Sequence, residues 1–68
     1  MTRLRINGVE EEVAATTVTE LLATRGVNAS ARFLAVAVNG TVVRRSEWPS
    51  RTLMPGDSVE IVRPFSGG

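Results

Sequence analysis

The chain contains no histidine, no cysteine and no lysine, and each gap removes a class of chemistry. Without histidine it lacks the commonest general base and the commonest metal ligand. Without cysteine it has no disulfide and no thiolate metal site. Without lysine it offers no ε-amine, so it could be joined to other proteins through its own end but could not serve as a branched acceptor. Aromatics are limited to Phe33, Trp48 and Phe65, and all eight cations are arginines. They are scattered, with only Arg44 and Arg45 adjacent, and read as a solvated surface. A nucleic-acid-binding chain would show clustered cations with interleaved aromatics. Seven acids leave a formal charge of +1. No apolar run approaches the roughly 20 residues of a membrane span. The start, Met1-Thr2-Arg3-Leu4, lacks the apolar region of a signal peptide, so a cytoplasmic protein is expected.

What remains is a short chain that must fold on its core alone. Its 68 residues make one domain, of a size that buries only about 60% of its unfolded surface. The 43% hydrophobic fraction is enough for one compact core, with little to spare around a large pocket.

Arg3 to Asn7 alternates polar and apolar, the period of a half-buried strand. Asn7-Gly8 is a strong hairpin signal, because both turn positions require positive φ. Val9 to Ala14 returns as a second strand. Its three consecutive acids, Glu10 to Glu12, imply an exposed or bulged edge guarded by charge. Thr17-Val18-Thr19-Glu20 is a capping box: Thr17 accepts from the Glu20 N–H, and Glu20 reaches back to the Thr17 N–H. Val18, Leu21 and Leu22 then line one face of a short helix over Val18 to Arg25, stopped at Gly26.

Phe33 to Val38 is a continuous apolar run, expected as a strand buried on much of both faces. It ends at Asn39-Gly40 and is followed by a short strand over Thr41 to Val43. Glu47 to Ser50 is expected to be irregular or a single helical turn, because Pro49 disfavours helical geometry at Trp48. Trp48 is read as an anchor beneath that segment. Pro55-Gly56-Asp57 marks a tight turn, which Asp57 completes. Ser58 to Arg63 is the last strand, closed by Pro64, and suits the middle of the sheet beside the first. One helix across a four- to five-stranded mixed sheet is an α+β, β-grasp arrangement. Residues 1–64 would form that domain and 65–68 a flexible tail.

No Ser-His-Asp or Cys-His group is possible, and no glycine loop could cradle a phosphate. Glu10 to Glu12 could hold a metal, but on a strand edge such a run reads as a solvated guard. The remaining reactive group is the terminal carboxylate of Gly68, ionised at neutral pH. Gly67 and Gly68, lacking Cβ atoms, would thread a narrow channel in any backbone conformation. A carboxylate resists nucleophiles until coupling to AMP supplies a leaving group. A sulfur nucleophile could then give a thioester, acyl disulfide or thiocarboxylate.

The order Val38-Asn39-Gly40, Val43, Arg45, Trp48, Leu53, Pro55-Gly56-Asp57-Ser58-Val59-Glu60-Ile61-Val62 and Gly67-Gly68 resembles the ThiS/MoaD family of ubiquitin-like sulfur carriers. The spacing from Asn39 through Trp48 to Asp57 looks like the thiamin branch. Arg44 stands where that branch commonly has proline, and Pro64-Phe65-Ser66-Gly67-Gly68 is more like the molybdopterin carriers. The resemblance implies a carrier and not an enzyme, working as a monomer. A ThiF-like enzyme would adenylate Gly68 with ATP and Mg²⁺ that this chain does not itself bind. A cysteine desulfurase pathway would supply sulfur to form the thiocarboxylate, and a ThiG-like thiazole synthase would accept it. Ser66 and Gly67 would thread the partner's channel. Phe65, Val62 and Arg63 are the docking candidates, Val62 and Phe65 with the sheet face turned away from the helix and Arg63 as a pair for an acidic partner. Alternatives are sulfur delivery to molybdopterin or cysteine synthesis, or a ubiquitin-like protein modifier.

Overall fold

A computed structural model of the chain describes residues 1–63. Its order is β1 (Thr2–Ile6), β2 (Val9–Val13), α1 (Val18–Thr24), β3 (Ala35–Val38), β4 (Thr41–Val43), a 3₁₀ turn (Arg45–Glu47) and β5 (Ser58–Val62). The strands form one five-stranded sheet in the order β2-β1-β5-β3-β4. The β1–β5 pairing is parallel and the other three are antiparallel. The last strand is therefore central, beside the first.

Both hairpins close on the same dipeptide chemistry. Asn7 and Gly8 have φ of 49° and 85°, and Asn39 and Gly40 have 52° and 84°. Asparagine tolerates this left-handed region better than most residues, and its turn matches the twist of the flanking strands. The β1–β2 register runs without interruption from Thr2↔Val13 to Ile6↔Val9, so β2 is an exposed edge without a bulge. Its acids divide between the faces. Glu10 pairs with Arg3 at 3.0 Å, whereas Glu11 turns to the helix side and takes the Arg25 guanidinium at 2.8 Å.

The helix is shorter by one residue than the sequence predicts, because Arg25 serves as its C-cap. The Gly26 N–H bonds to Ala23 O at 3.1 Å and the Val27 N–H to Leu22 O at 2.9 Å. This Schellman closure uses Gly26 at φ +70°. At the other end, Thr17 Oγ1 accepts from the Glu20 N–H at 3.2 Å. The reciprocal half falls one residue earlier than a capping box predicts: Glu20 Oε1 accepts from both the N–H and the hydroxyl of Thr16, each at 2.8 Å. The Val18 and Thr19 N–H groups donate to the carbonyls of Arg51 and Trp48. The donors left free by the first helical turn are thus met.

Val18, Leu21 and Leu22 share one buried cluster with Leu4, Ile6, Val36, Val38, Val59 and Ile61, joined by Trp48 and Leu53. Alternate residues of a strand face opposite ways. The helix therefore covers one sheet face and leaves the other open.

Three expectations are corrected. The third strand begins at Ala35 and not at Phe33, and it is buried on the helix side only, through Val36 and Val38. Phe33 has φ +63° and cannot extend the ladder. Trp48 adopts helical geometry, φ −56° and ψ −41°, despite the following proline. Burial of its ring, 2% exposed, and an Nε1–H bond to Val43 O at 2.9 Å outweigh the local preference. Finally, two arginines have structural partners beyond a solvated surface role: Arg25, half-buried in its pair with Glu11, and the exposed Arg45, described below.

Candidate functional site

Gly68, Gly67, Ser66 and Phe65 lie outside the described residues, as does Pro64. The structure places Val62 and Arg63 at the end of the central strand that leads to them. Both are exposed, Val62 at 58%.

The register defines the open face around that strand end. Ala35 pairs with Val62, Ala37 with Glu60, and Ala37 with Val42 on the other side. Cross-strand partners share a face. Val62, Ala35, Ala37 and Val42 thus share an apolar patch, with Val42 71% exposed, and the exposed Glu60 lies on the same face beside Ala37. Across β5 the same face turns polar: Arg3 and Arg5 of β1 lie beside Glu10 and Glu12 of β2. Exposed pairs of this kind contribute at most about 1 kcal/mol each. They charge the β1–β2 side of the face, and the apolar patch lies on the β3–β4 side beside Val62.

The base of the exit strand is locked by side-chain amides. Asn7 Oδ1 accepts from the Ile61 N–H at 2.8 Å, and its Nδ2 donates to Ile61 O at 3.3 Å. Strand β1 has turned away by this point, so the Asn7 side chain supplies the next rung of the ladder to β5. At the other end of β5, Asn39 Oδ1 accepts from the Ser58 N–H at 2.9 Å, and Asn39 Nδ2 donates to Asp57 Oδ1 at 3.0 Å. Asp57 Oδ2 in turn accepts from the Met54 N–H at 2.9 Å, closing the Pro55-Gly56 turn. Sequence reasoning reads Asn7 and Asn39 as turn formers. Their second task depends on residues 54 and 19 positions away and leaves no local signal.

A further assembly borders the sheet. Arg45 lies over the Trp48 ring at 4.7 Å. Its guanidinium donates to the carbonyls of Ala29, of Ala31 at 2.7 Å and of Leu34 at 3.4 Å. It therefore fixes the connection between α1 and β3, including Phe33. Phe33 is 81% exposed, and its left-handed backbone costs about 1–3 kcal/mol for a bulky residue. A shallow groove nearby is lined by Thr19, Ala29, Arg32, Arg45, Trp48 and Pro49. Among the described residues the one clearly shifted titration is at Glu20, held below the ordinary carboxylate value by the Thr16 N–H and then the Thr16 hydroxyl. No cluster among the described residues has the acids needed to hold a metal ion, and none of their helices is long and apolar enough to cross a membrane.

One helix laid over a five-stranded mixed sheet, with a central last strand leading to the C-terminal residues, defines a β-grasp, ubiquitin-like domain. Residues 4–68 match the ThiS family, and the chain belongs to it. It is similar to the crystal structure of a thiamine biosynthesis protein, ThiS, from Geobacter metallireducens. The two are 34% identical over 98% of this chain and 100% of that one, with a TM-score of 0.79. A solution structure of a thiamine biosynthesis protein from the same organism is 33% identical over 98% of this chain and 88% of the other, again with a TM-score of 0.79. No curated protein matches. ThiS-family proteins are small sulfur carriers and not themselves enzymes.

Proposed function

We propose that the chain carries sulfur for thiazole formation in thiamin biosynthesis, on the terminal carboxylate of Gly68. The observation that carries this reading is the family match, which runs to Gly68 and so includes the terminal Gly67-Gly68. The likeness to a thiamine biosynthesis protein along the whole chain supports the choice of pathway.

In the first step a Gly68 carboxylate oxygen attacks the α-phosphorus of ATP on a ThiF-like enzyme, and pyrophosphate leaves. The acyl adenylate now has a leaving group. A persulfide that holds sulfur taken from cysteine by a desulfurase attacks the carbonyl carbon through its outer sulfur and releases AMP, and a thiol then cleaves the resulting acyl disulfide, leaving as a disulfide. The thiocarboxylate formed is then taken to a ThiG-like thiazole synthase. ATP and Mg²⁺ belong to the activating partner.

The chain's own contribution is presentation. Gly67 and Ser66 thread the partner's channel, and Val62, Arg63 and Phe65 dock beside its mouth. The apolar patch of the open face, Val62 with Ala35, Ala37 and Val42, supports this placement of the docking surface. A cytoplasmic monomer that exchanges partners suits the cycle.

Intact-protein mass spectrometry after incubation with the activating enzyme, ATP and a sulfur donor tests the reading. The expected result is the mass gain of one oxygen exchanged for sulfur, abolished by deleting Gly68. No gain with an enzyme active on its own carrier overturns it. A deletion strain that requires thiamin supports the pathway, and one that loses molybdoenzyme activity instead moves the sulfur elsewhere.

A further inference from the structure

Phe33 is an anomaly that folding alone does not explain. Its ring is 81% exposed, so it contributes little to the core. Its backbone lies at φ +63°, a conformation natural to glycine and strained for an aromatic residue. Strained backbone persists where the surroundings over-determine it, and it concentrates at functional positions. Here the surroundings are explicit. The Arg45 guanidinium, stacked on Trp48, ties down Ala29, Ala31 and Leu34, on both sides of Phe33. The backbone that presents this exposed ring is thus held in place.

Its position gives the hold a purpose. Phe33 is two residues from Ala35, whose ladder partner is Val62 at the end of β5. Two residues span at most about 7 Å, so Phe33 stands at the sheet end from which the chain runs on to Gly68. Rigid aromatic side chains are favoured as interface anchors. Arg32 and Arg63, both exposed and in no ion pair among the described residues, lie next to Phe33 in sequence and at that same strand end.

We propose that Phe33 is an anchor for the enzyme that activates the tail, entering an apolar pocket with an acidic rim beside the channel mouth. The inference rests on the sulfur-carrier reading and adds to it a contact outside the sheet face. Phe33 acts by positioning, since it touches no reacting atom.

The test is steady-state adenylation of the full chain by a ThiF-like enzyme from the same organism, alongside thermal melting. Phe33→Gly removes the ring and relieves the backbone, so it separates binding from stability. We expect its KM to rise about tenfold with kcat little changed and a melting midpoint no lower than wild type. Phe33→Leu should recover part of the lost affinity. Arg32→Glu should also raise KM, by a factor that shrinks as salt is added. An unchanged KM for Phe33→Gly overturns the inference while leaving the carrier reading intact. A raised KM that accompanies a lowered midpoint also overturns it, as the signature of a structural role. A salt-independent Arg32→Glu rejects the acidic rim. If the wild-type chain is never adenylated, the carrier reading and this inference fail together.

Discussion

Asn39 and Asp57, 18 positions apart, meet through an amide-to-carboxylate hydrogen bond of 3.0 Å at the start of the exit strand. Asn39 belongs to the β3–β4 turn and Asp57 to the turn that launches β5, so one contact sets two loops against each other. Asn39→Gly keeps the left-handed backbone and removes the amide. We expect it to destabilise the domain by about 1–3 kcal/mol, since hydrogen bonds to charged groups are worth somewhat more than neutral ones. Asp57→Ala, which also frees the Met54 N–H, should cost at least as much. Chemical denaturation of both single variants and the double variant would show a non-additive pair, and simple additivity would remove the coupling.

The Asn7 amide stands in for a missing strand at Ile61. Asn7→Gly preserves the turn but leaves that rung open. Amide hydrogen exchange at Ile61, whose N–H loses its Asn7 acceptor, should accelerate well beyond that at Val59, which stays paired between Ile6 of β1 and Val38 of β3. An Ile61 amide as protected as in wild type would show that the side-chain rung is dispensable.

Glu20 gives the fold an acid-sensitive cap. Its carboxyl is held below 4.5 by hydrogen bonds from the Thr16 N–H and hydroxyl, with a smaller contribution from Thr17 and a small opposing effect of desolvation. A depressed folded value means that the stabilisation is complete above the unfolded value. It is lost as pH falls from about 4.5 through the folded value. Glu20→Gln keeps an acceptor but does not titrate. Its deficit in melting midpoint at neutral pH should therefore narrow toward pH 3. A constant gap would show that the carboxylate charge is irrelevant.

Val62→Arg probes the open face directly. The side chain is more than half exposed, so the change in stability should stay within about 1 kcal/mol, the span of strand propensities. The KM for adenylation should rise by about tenfold if the face docks there. Equal kinetics for variant and wild type would move the docking surface elsewhere.

The parts of this fold legible in the sequence are those governed by short-range chemistry. Asn7-Gly8, Asn39-Gly40 and Pro55-Gly56 mark turns because φ is decided within the dipeptide. Thr17 and Gly26 mark the helix ends for the same reason. Phe33 and Trp48 are governed by longer-range contacts. Periodicity joins Phe33 to the apolar run, but the ties of Arg45 to three carbonyls around it decide its conformation, and Arg45 reaches them across 11 to 16 positions. Proline at 49 argues against a helical Trp48, and only the packed ring shows why that preference loses. Alanines 35 and 37 look like core yet face outward, because small apolar residues suit either side of a sheet. At the strand end, the Val- and Ile-rich run from Ser58 makes the position of Val62 and Arg63 legible, whereas Phe33 carries no motif.

The central position of β5 has a mechanical consequence. A partner that pulls the chain outward beyond Arg63 loads β5 along its own axis. The ladders to β1 and β3 lie on both flanks and run across that axis. Under such shear the rungs must yield together instead of unzipping one at a time. A strand on the sheet edge, peeled from one end, would have no such resistance to being drawn into an enzyme.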